Sequence, residues 1–332
     1  MRKIKFSTSS FSLLVLFILF LALVACNKND LSSAAQQAEL QKKHKEEEEL
    51  QLNLKKKKNQ PAPPPVSTFP TTYFLGHKGA GSNNYNDVNM EHSIASFIEA
   101  LKVLDGVEVD MQMSLEGTIW LFHDVDINYS LCTPGAPRSI LTMHDDEIAQ
   151  LKLCSRTKTG RLYKLSELIQ LWNSSAYPDG FFISMEIKED FDAATYTAVG
   201  GRPAYLKRFA KQLAGELQVL NHSASQFLIE EDDRIFPDEF RKYPVGAAVK
   251  YYVFEYKSFD NVVADALAMG FDGVSCNFTD PTLTLEKVAA AQAKGLKVQL
   301  WTPYYDSEVL KTYNLHPNFI QTDHTNVQAD IF

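Results

Sequence analysis

Gly106-Val107-Glu108-Val109-Asp110-Met111-Gln112-Met113-Ser114-Leu115-Glu116-Gly117-Thr118-Ile119-Trp120-Leu121-Phe122-His123-Asp124 is the stretch whose reading decides the fold. Val107–Met113 has the composition of a buried strand, and residues two apart in a strand share a face. Glu108 and Asp110 therefore point the same way. Two carboxylates aimed inward from a buried strand repel each other unless a cation sits between them. Too few residues separate this strand from Thr118–Phe122 for a parallel crossover, so the spacing predicts a hairpin through Ser114-Leu115-Glu116-Gly117. Gly117 supplies the positive φ of that turn. Folding about it carries His123 to a place roughly opposite Glu108.

Upstream, Tyr73-Phe74-Leu75 reads as a short buried strand ending at Gly76-His77-Lys78-Gly79. Glu91 through Leu104 carries apolar residues at a helical period, with Glu91 at its N-terminus, where a carboxylate is favoured. Downstream of Asp124, residues 124–163 read as an irregular insertion with one short helix near Asp145–Leu151. The chain then alternates. Helices are expected at Lys164–Trp172, Arg202–Leu220, Asp233–Tyr243, Phe259–Met269, Leu283–Lys294 and Ser307–Tyr313. The strands between and beyond them are Phe181–Ile187, Phe227–Glu230, Val245–Tyr251, Asp272–Cys276, Lys297–Trp301 and Phe319–Thr322. With Tyr73–Leu75 and Val107–Met113 this makes eight parallel strands, an α/β fold of the TIM-type (β/α)8 barrel, with a hairpin after the second strand and a small insertion. Such a barrel keeps its active site at the C-terminal strand ends, where His77, Glu108, Asp110 and Glu186 fall.

The motifs in order are His77-Lys78-Gly79, Glu91-His92-Ser93, Glu108-Val109-Asp110, His123-Asp124 and Glu186-Ile187-Lys188, with Trp301-Thr302 and Thr322-Asp323 near the end. This series resembles the glycerophosphodiester phosphodiesterases over about residues 72–325. The resemblance implies hydrolysis of glycerophosphodiesters to glycerol 3-phosphate and an alcohol. His77 and His123 are the expected acid and base, since imidazole titrates near neutrality. Glu108, Asp110 and Glu186 form an oxygen-rich set suited to Ca²⁺ or Mg²⁺. Lys78 and Lys188 are expected to add positive charge at the phosphate, Glu91 to support the site and Trp301 to wall it. Asp323 and His324 are read as closing the barrel. The chain departs from the family pattern at Lys78, in place of arginine, and at His92-Ser93, in place of Asn-Thr. Ile229-Glu230-Glu231 stands where a Ser-Phe is usual. These departures bear on the substrate more than on the reaction. The rival readings are a phospholipase C- or D-like enzyme on membrane lipid and a surface lipoprotein that binds phosphate-bearing ligands without turnover.

The chain has 332 residues, and its net charge of −8 argues against a general nucleic-acid binder, which would normally show a basic face. Arg2, Lys3 and Lys5 followed by the apolar run Phe11–Val24 read as a targeting segment over residues 1–25. Leu23-Val24-Ala25-Cys26 resembles a bacterial lipoprotein signal, which implies a lipid on Cys26 and a domain anchored to the membrane outside the cytoplasm. Residues 26–70 read as a tether, charged and then proline-rich, leaving 71–332 for the barrel. Of the other cysteines, Cys132 and Cys154 can either pair or stay free in an oxidising compartment, and Cys276 reads as a buried thiol.

Overall fold

The structure is a computed structural model that describes residues 70–85, 88–156, 158–174, 180–220, 222–254 and 258–327. The expected leader, Cys26 and the tether lie outside the described residues. Strands are β1 (Tyr73–Gly76), β2 (Gly106–Met113), β3 (Ile119–Leu121), β4 (Leu153–Ser155), β5 (Lys158–Gly160), β6 (Tyr163–Lys164), β7 (Phe182–Ile187), β8 (Phe227–Glu231), β9 (Lys250–Phe254), β10 (Gly273–Asn277), β11 (Lys297–Trp301) and β12 (Phe319–Thr322). The ring runs β1-β2-β7-β8-β9-β10-β11-β12 and returns to β1, every pair parallel. It is a closed eight-stranded (β/α)8 barrel of the TIM type.

The hairpin forms where the sequence places it. β2 gives the start of one edge, Gly106 and Val107, to β1, and the end of it, Met111 to Met113, to the antiparallel β3. Gly117 has φ 96°, and the Ser114 N–H donates to the Thr118 carbonyl at 3.0 Å. Glycine adopts that φ at no steric cost. The register Met111↔Leu121, extended by the Phe122 N–H on the Asp110 carbonyl at 3.0 Å, sets His123 beside Val109, one residue along from the expected Glu108.

Three layers fill the barrel, and β7 displays them in one strand through Phe182, Ser184 and Glu186. At the N-terminal end Leu75, Leu228, Tyr252 and Phe319 pack with Tyr73 and Phe182. Above them the buried Glu230 carboxylate accepts from Ser184 Oγ (2.5 Å), Ser275 Oγ (2.7 Å), Gln299 Nε2 (2.8 Å) and Gln321 Nε2. Four neutral donors satisfy a charge that would otherwise be costly to bury. The charged residues of the C-terminal mouth form the third layer.

Several boundaries differ from expectation. Val245–Tyr251 is not one strand: Pro244 starts a helix through Ala248, and β9 begins only at Lys250. Proline's fixed φ suits the first helical position, and its missing N–H is no loss there. A short helix, Ala193–Ala198, was not foreseen. The first helix is Ile94–Leu101, capped by Ser93 Oγ, which accepts the Ser96 N–H at 3.1 Å, so Glu91 does not cap it. The insertion holds the expected short helix, Asp145–Ala149, and a β4–β5 ladder. A disulfide joins Cys132 to Cys154. Its own core of Trp120, Phe122, Ile127, Ile140, Ile148 and Leu162 fastens it to the hairpin. Each such buried side chain contributes roughly 1.5–3 kcal/mol. Cys276 is buried and reduced, and burial pushes its thiol up.

Candidate active site

His77 is the first residue past β1. Its N–H donates to the Thr322 carbonyl at 3.0 Å, which fixes the backbone to the neighbouring β12. Its Nδ1 lies 2.8 Å from Asp323 Oδ1, and its Nε2 lies 4.0 Å from Glu108 Oε2. Asp323 also accepts the Ser82 N–H at 2.6 Å. Burial alone would raise this carboxyl, but the His77 ring and the Ser82 N–H hold it below the usual range. Expected only to close the barrel, Asp323 orients a candidate catalytic ring.

Lys78 takes φ 54°, uncommon outside glycine, and its N–H donates to Glu108 Oε2 at 2.9 Å. Its next neighbour must be small: a Cβ on Gly79 would stand 2.5 Å from Ser96 Oγ. Burial disfavours the Lys78 ammonium, yet Asp110, Glu91 and Glu108 together hold it above the ordinary lysine range. Glu91 Oε2 accepts the Asn83 N–H at 2.8 Å and its own N–H returns to Asn83 Oδ1 at 3.1 Å. Glu91 thus braces the loop after His77, close enough to Lys78 to raise it.

Glu108, Asp110 and Glu186 converge, with one oxygen from each lying within 4.8 Å of the others. Lys188 bridges part of this charge, its Nζ 3.2 Å from Asp110 Oδ1 and bonded to Glu186 Oε1. Burial and repulsion from Asp110, Glu186 and Glu230 push Glu108 well up. For Asp110, burial is overcome by Lys188, His123 and His92, which hold it well down. Glu186 is pushed up to about 7, burial and its carboxylate neighbours outweighing Lys188. Glu108 Oε1 and Asp110 Oδ2 are buried without a hydrogen-bond partner. Such orphaned oxygens, all hard donors, fit a Ca²⁺- or Mg²⁺-type cation.

His92, which entered above only as a departure from the family pattern, has a definite partner here. Its Nε2 accepts the Asp110 N–H at 3.1 Å and lies 3.1 Å from Asp110 Oδ2. Burial pushes its pKa down despite that carboxylate. Gln112 was also missed, although it continues the same-face series of Glu108 and Asp110. Its Nε2 donates to the carbonyls of Phe122 (3.0 Å) and Asp124 (2.8 Å), clamping the segment that carries His123. His123 Nδ1 lies 2.8 Å from Asp124 Oδ1, and both side chains are about two-fifths exposed. Trp301 ends β11 and packs beside Phe254, which ends β9, ring centroids 5.4 Å apart.

A profile of the glycerophosphoryl diester phosphodiesterase family matches residues 77–327. Among curated proteins none matches the chain. Solved structures share the fold. A proposed glycerophosphoryl diester phosphodiesterase of Silicibacter pomeroyi is 17% identical with a TM-score of 0.62, over 79% of this chain and 93% of that one. A glycerophosphodiester phosphodiesterase of Parabacteroides distasonis is 15% identical, TM-score 0.60, over 77% and 94%. A phosphodiesterase of Oleispira antarctica, solved with the product sn-glycerol-3-phosphate, is 15% identical, TM-score 0.60, over 79% and 96%.

Proposed function

This chain belongs to the glycerophosphoryl diester phosphodiesterase family, and from that premise we propose that it hydrolyses glycerophosphodiesters to glycerol 3-phosphate and an alcohol by histidine acid–base chemistry at a cation-dependent site. The observation that carries this reading is the pairing of two imidazoles with two aspartates around three convergent carboxylates. With Nδ1 of each ring donating to its aspartate, Nε2 is left to move protons. One ring takes the proton from the nucleophile, which is water or the substrate's glycerol hydroxyl, the cyclic phosphate formed in the second case being opened by water. The other delivers one to the leaving alkoxide. Lys78 and Lys188, both kept charged, draw the phosphate into the mouth as point charges. Glu108, Asp110 and Glu186 would hold a Ca²⁺ or Mg²⁺ ion, which when bound neutralises charge on the phosphodiester oxygens. Trp301 and Phe254 offer the apolar wall for the organic part of the substrate.

The test is release of glycerol 3-phosphate from glycerophosphocholine with Ca²⁺, with Mg²⁺ and with excess chelator, alongside Glu108→Ala. Turnover that needs the cation and vanishes in Glu108→Ala supports the reading. Turnover that survives the chelator overturns the cation assignment and favours the phospholipase-like relative, and binding without turnover favours the ligand-binding lipoprotein. Anchoring to the membrane outside the cytoplasm through a lipid on Cys26 is part of the same proposal. Incorporation of a labelled fatty acid that persists in Cys26→Ala would remove it.

A further inference from the structure

Beside the mouth, between the C-terminal ends of β7 and β8, lies a second group of carboxylates. Glu189 follows Lys188, Glu231 ends β8 and Asp232 comes next. One oxygen of each lies within 4.8 Å of the others. Glu231 is 3% exposed, and its Oε1 is buried with no hydrogen-bond partner. The Glu189 oxygens are likewise buried, one of them in an ion pair with Arg202, and Glu189 also meets Glu231 side chain to side chain. Arg202 is shared: its guanidinium also meets Asp233 Oδ2 at 2.5 Å and Asp232 Oδ1 at 3.2 Å. One positive charge therefore serves three carboxylates, and among the described residues no cation pairs with Glu231. Two buried carboxylates in contact need a proton or a cation between them. The group lines a small cavity of about 100 Å³ that it shares with Glu186 and Phe254. Asp232 is half exposed, which leaves an entry from solvent to the buried Glu231.

We propose that Glu189, Glu231 and Asp232 form a second divalent-cation site, of the all-oxygen type that takes Ca²⁺, separate from the site at the mouth. The orphaned Glu231 oxygen is its innermost donor, and Asp232 is the donor that solvent-borne cations meet first. Arg202 sets the charge of the site: it is shared among Glu189, Asp232 and Asp233, and a divalent ion offsets most of the negative charge that it and Glu231 leave over. Oxygen-only donors at flexible distances suit Ca²⁺ better than Mg²⁺, which demands a stricter octahedron.

Calorimetric titration of the purified full chain with Ca²⁺ tests this. The expected result is two ions per chain, one after Glu231→Gln, one after Glu108→Gln and none after both. Because a buried variant can perturb folding, Asp232→Asn at the exposed rim is run in parallel, and it should weaken the second ion at least tenfold. Hydrolysis of glycerophosphocholine should stay within threefold of wild type in Asp232→Asn. A single ion that disappears with Glu108→Gln alone, or two ions unaffected by Glu231→Gln and Asp232→Asn, overturns the proposal and leaves a proton-sharing carboxyl pair. A single ion lost with Glu231→Gln but not with Glu108→Gln upholds it while removing the cation from the mouth.

Discussion

His77–Asp323 and His123–Asp124 are the same chemical pair, an Nδ1 set 2.8 Å from a carboxylate oxygen, supported in opposite ways. The first joins residues 246 apart in the chain across adjacent strands β12 and β1, with Asp323 almost fully buried and fixed by Ser82. The second joins neighbours in sequence at the exit of the hairpin, and water reaches both side chains. Equal distance does not mean equal strength. A charge-assisted hydrogen bond in a buried setting is worth about 1.5–3 kcal/mol, whereas an exposed ion pair is worth about 0–1 kcal/mol. The buried pair holds its ring by the closure of the barrel. The exposed pair relies on Gln112, on the Ser130 hydroxyl that donates to Asp124 at 3.2 Å, and on the disulfide-tied insertion behind it.

Removing either ring should have the largest effect and make the two halves look alike. His77→Ala and His123→Ala are each expected to lower kcat by about 10²–10⁴-fold, the usual worth of a positioned acid or base. Near-normal turnover in either one would break the comparison at its root. Removing the aspartate charges should then separate the halves. Asp323→Asn is expected to reduce kcat about 10–100-fold, because roughly 1.5–3 kcal/mol of ring orientation goes with it. Asp124→Asn should stay within about fivefold. Equal losses in steady-state kinetics would mean that burial is not what distinguishes the pairs.

A third expectation concerns the disulfide, whose cysteines are 22 residues apart. Cys132→Ser with Cys154→Ser should cost about 3 kcal/mol of unfolding free energy, read by denaturant melts. The loss should reach His123 first, lowering kcat severalfold while the resonances of the His77 ring stay put in NMR spectra. The smallest effect is on pH-dependent stability. Asp323 is held below its ordinary value of 3.8 in the folded state, so it adds stability above that value, and this is lost as pH falls through the folded one. Wild type should therefore exceed Asp323→Asn in melting temperature at neutral pH, and the two curves should converge in acid. A gap unchanged down to pH ~2 would show that the Asp323 charge contributes nothing to it.

Much of this site could be read from local pattern. Glu108 and Asp110 share a face because strands repeat every two residues, and Gly117 marks the turn because few other residues tolerate its φ. His92, Gln112 and Asp323 were not recognised, for reasons that differ. Gln112 did carry a signal, the third polar residue at the same spacing. His92 and Asp323 stood in the motif series, but nothing local gave their roles, since each finds its partner on an element that only folding brings near. The β9 boundary failed because an apolar run beginning at Pro244 suits a helix start as well as a strand.

The sequence alone determined the alternation of strands and helices, hence the barrel, the hairpin after the second strand and the end of the barrel where the candidate site residues gather. These follow from periodicity, turn residues and the polarity of strand ends, all local properties. Tertiary structure decided which strand ends meet: Asp323 against His77, His92 against Asp110, Glu230 among Ser184, Ser275, Gln299 and Gln321, and Glu189 beside Glu231. The physical reason is the closure of the ring. Each strand's pattern says which side chains face inward, but the stagger between strands sets their height, and that stagger exists only once β12 has closed onto β1.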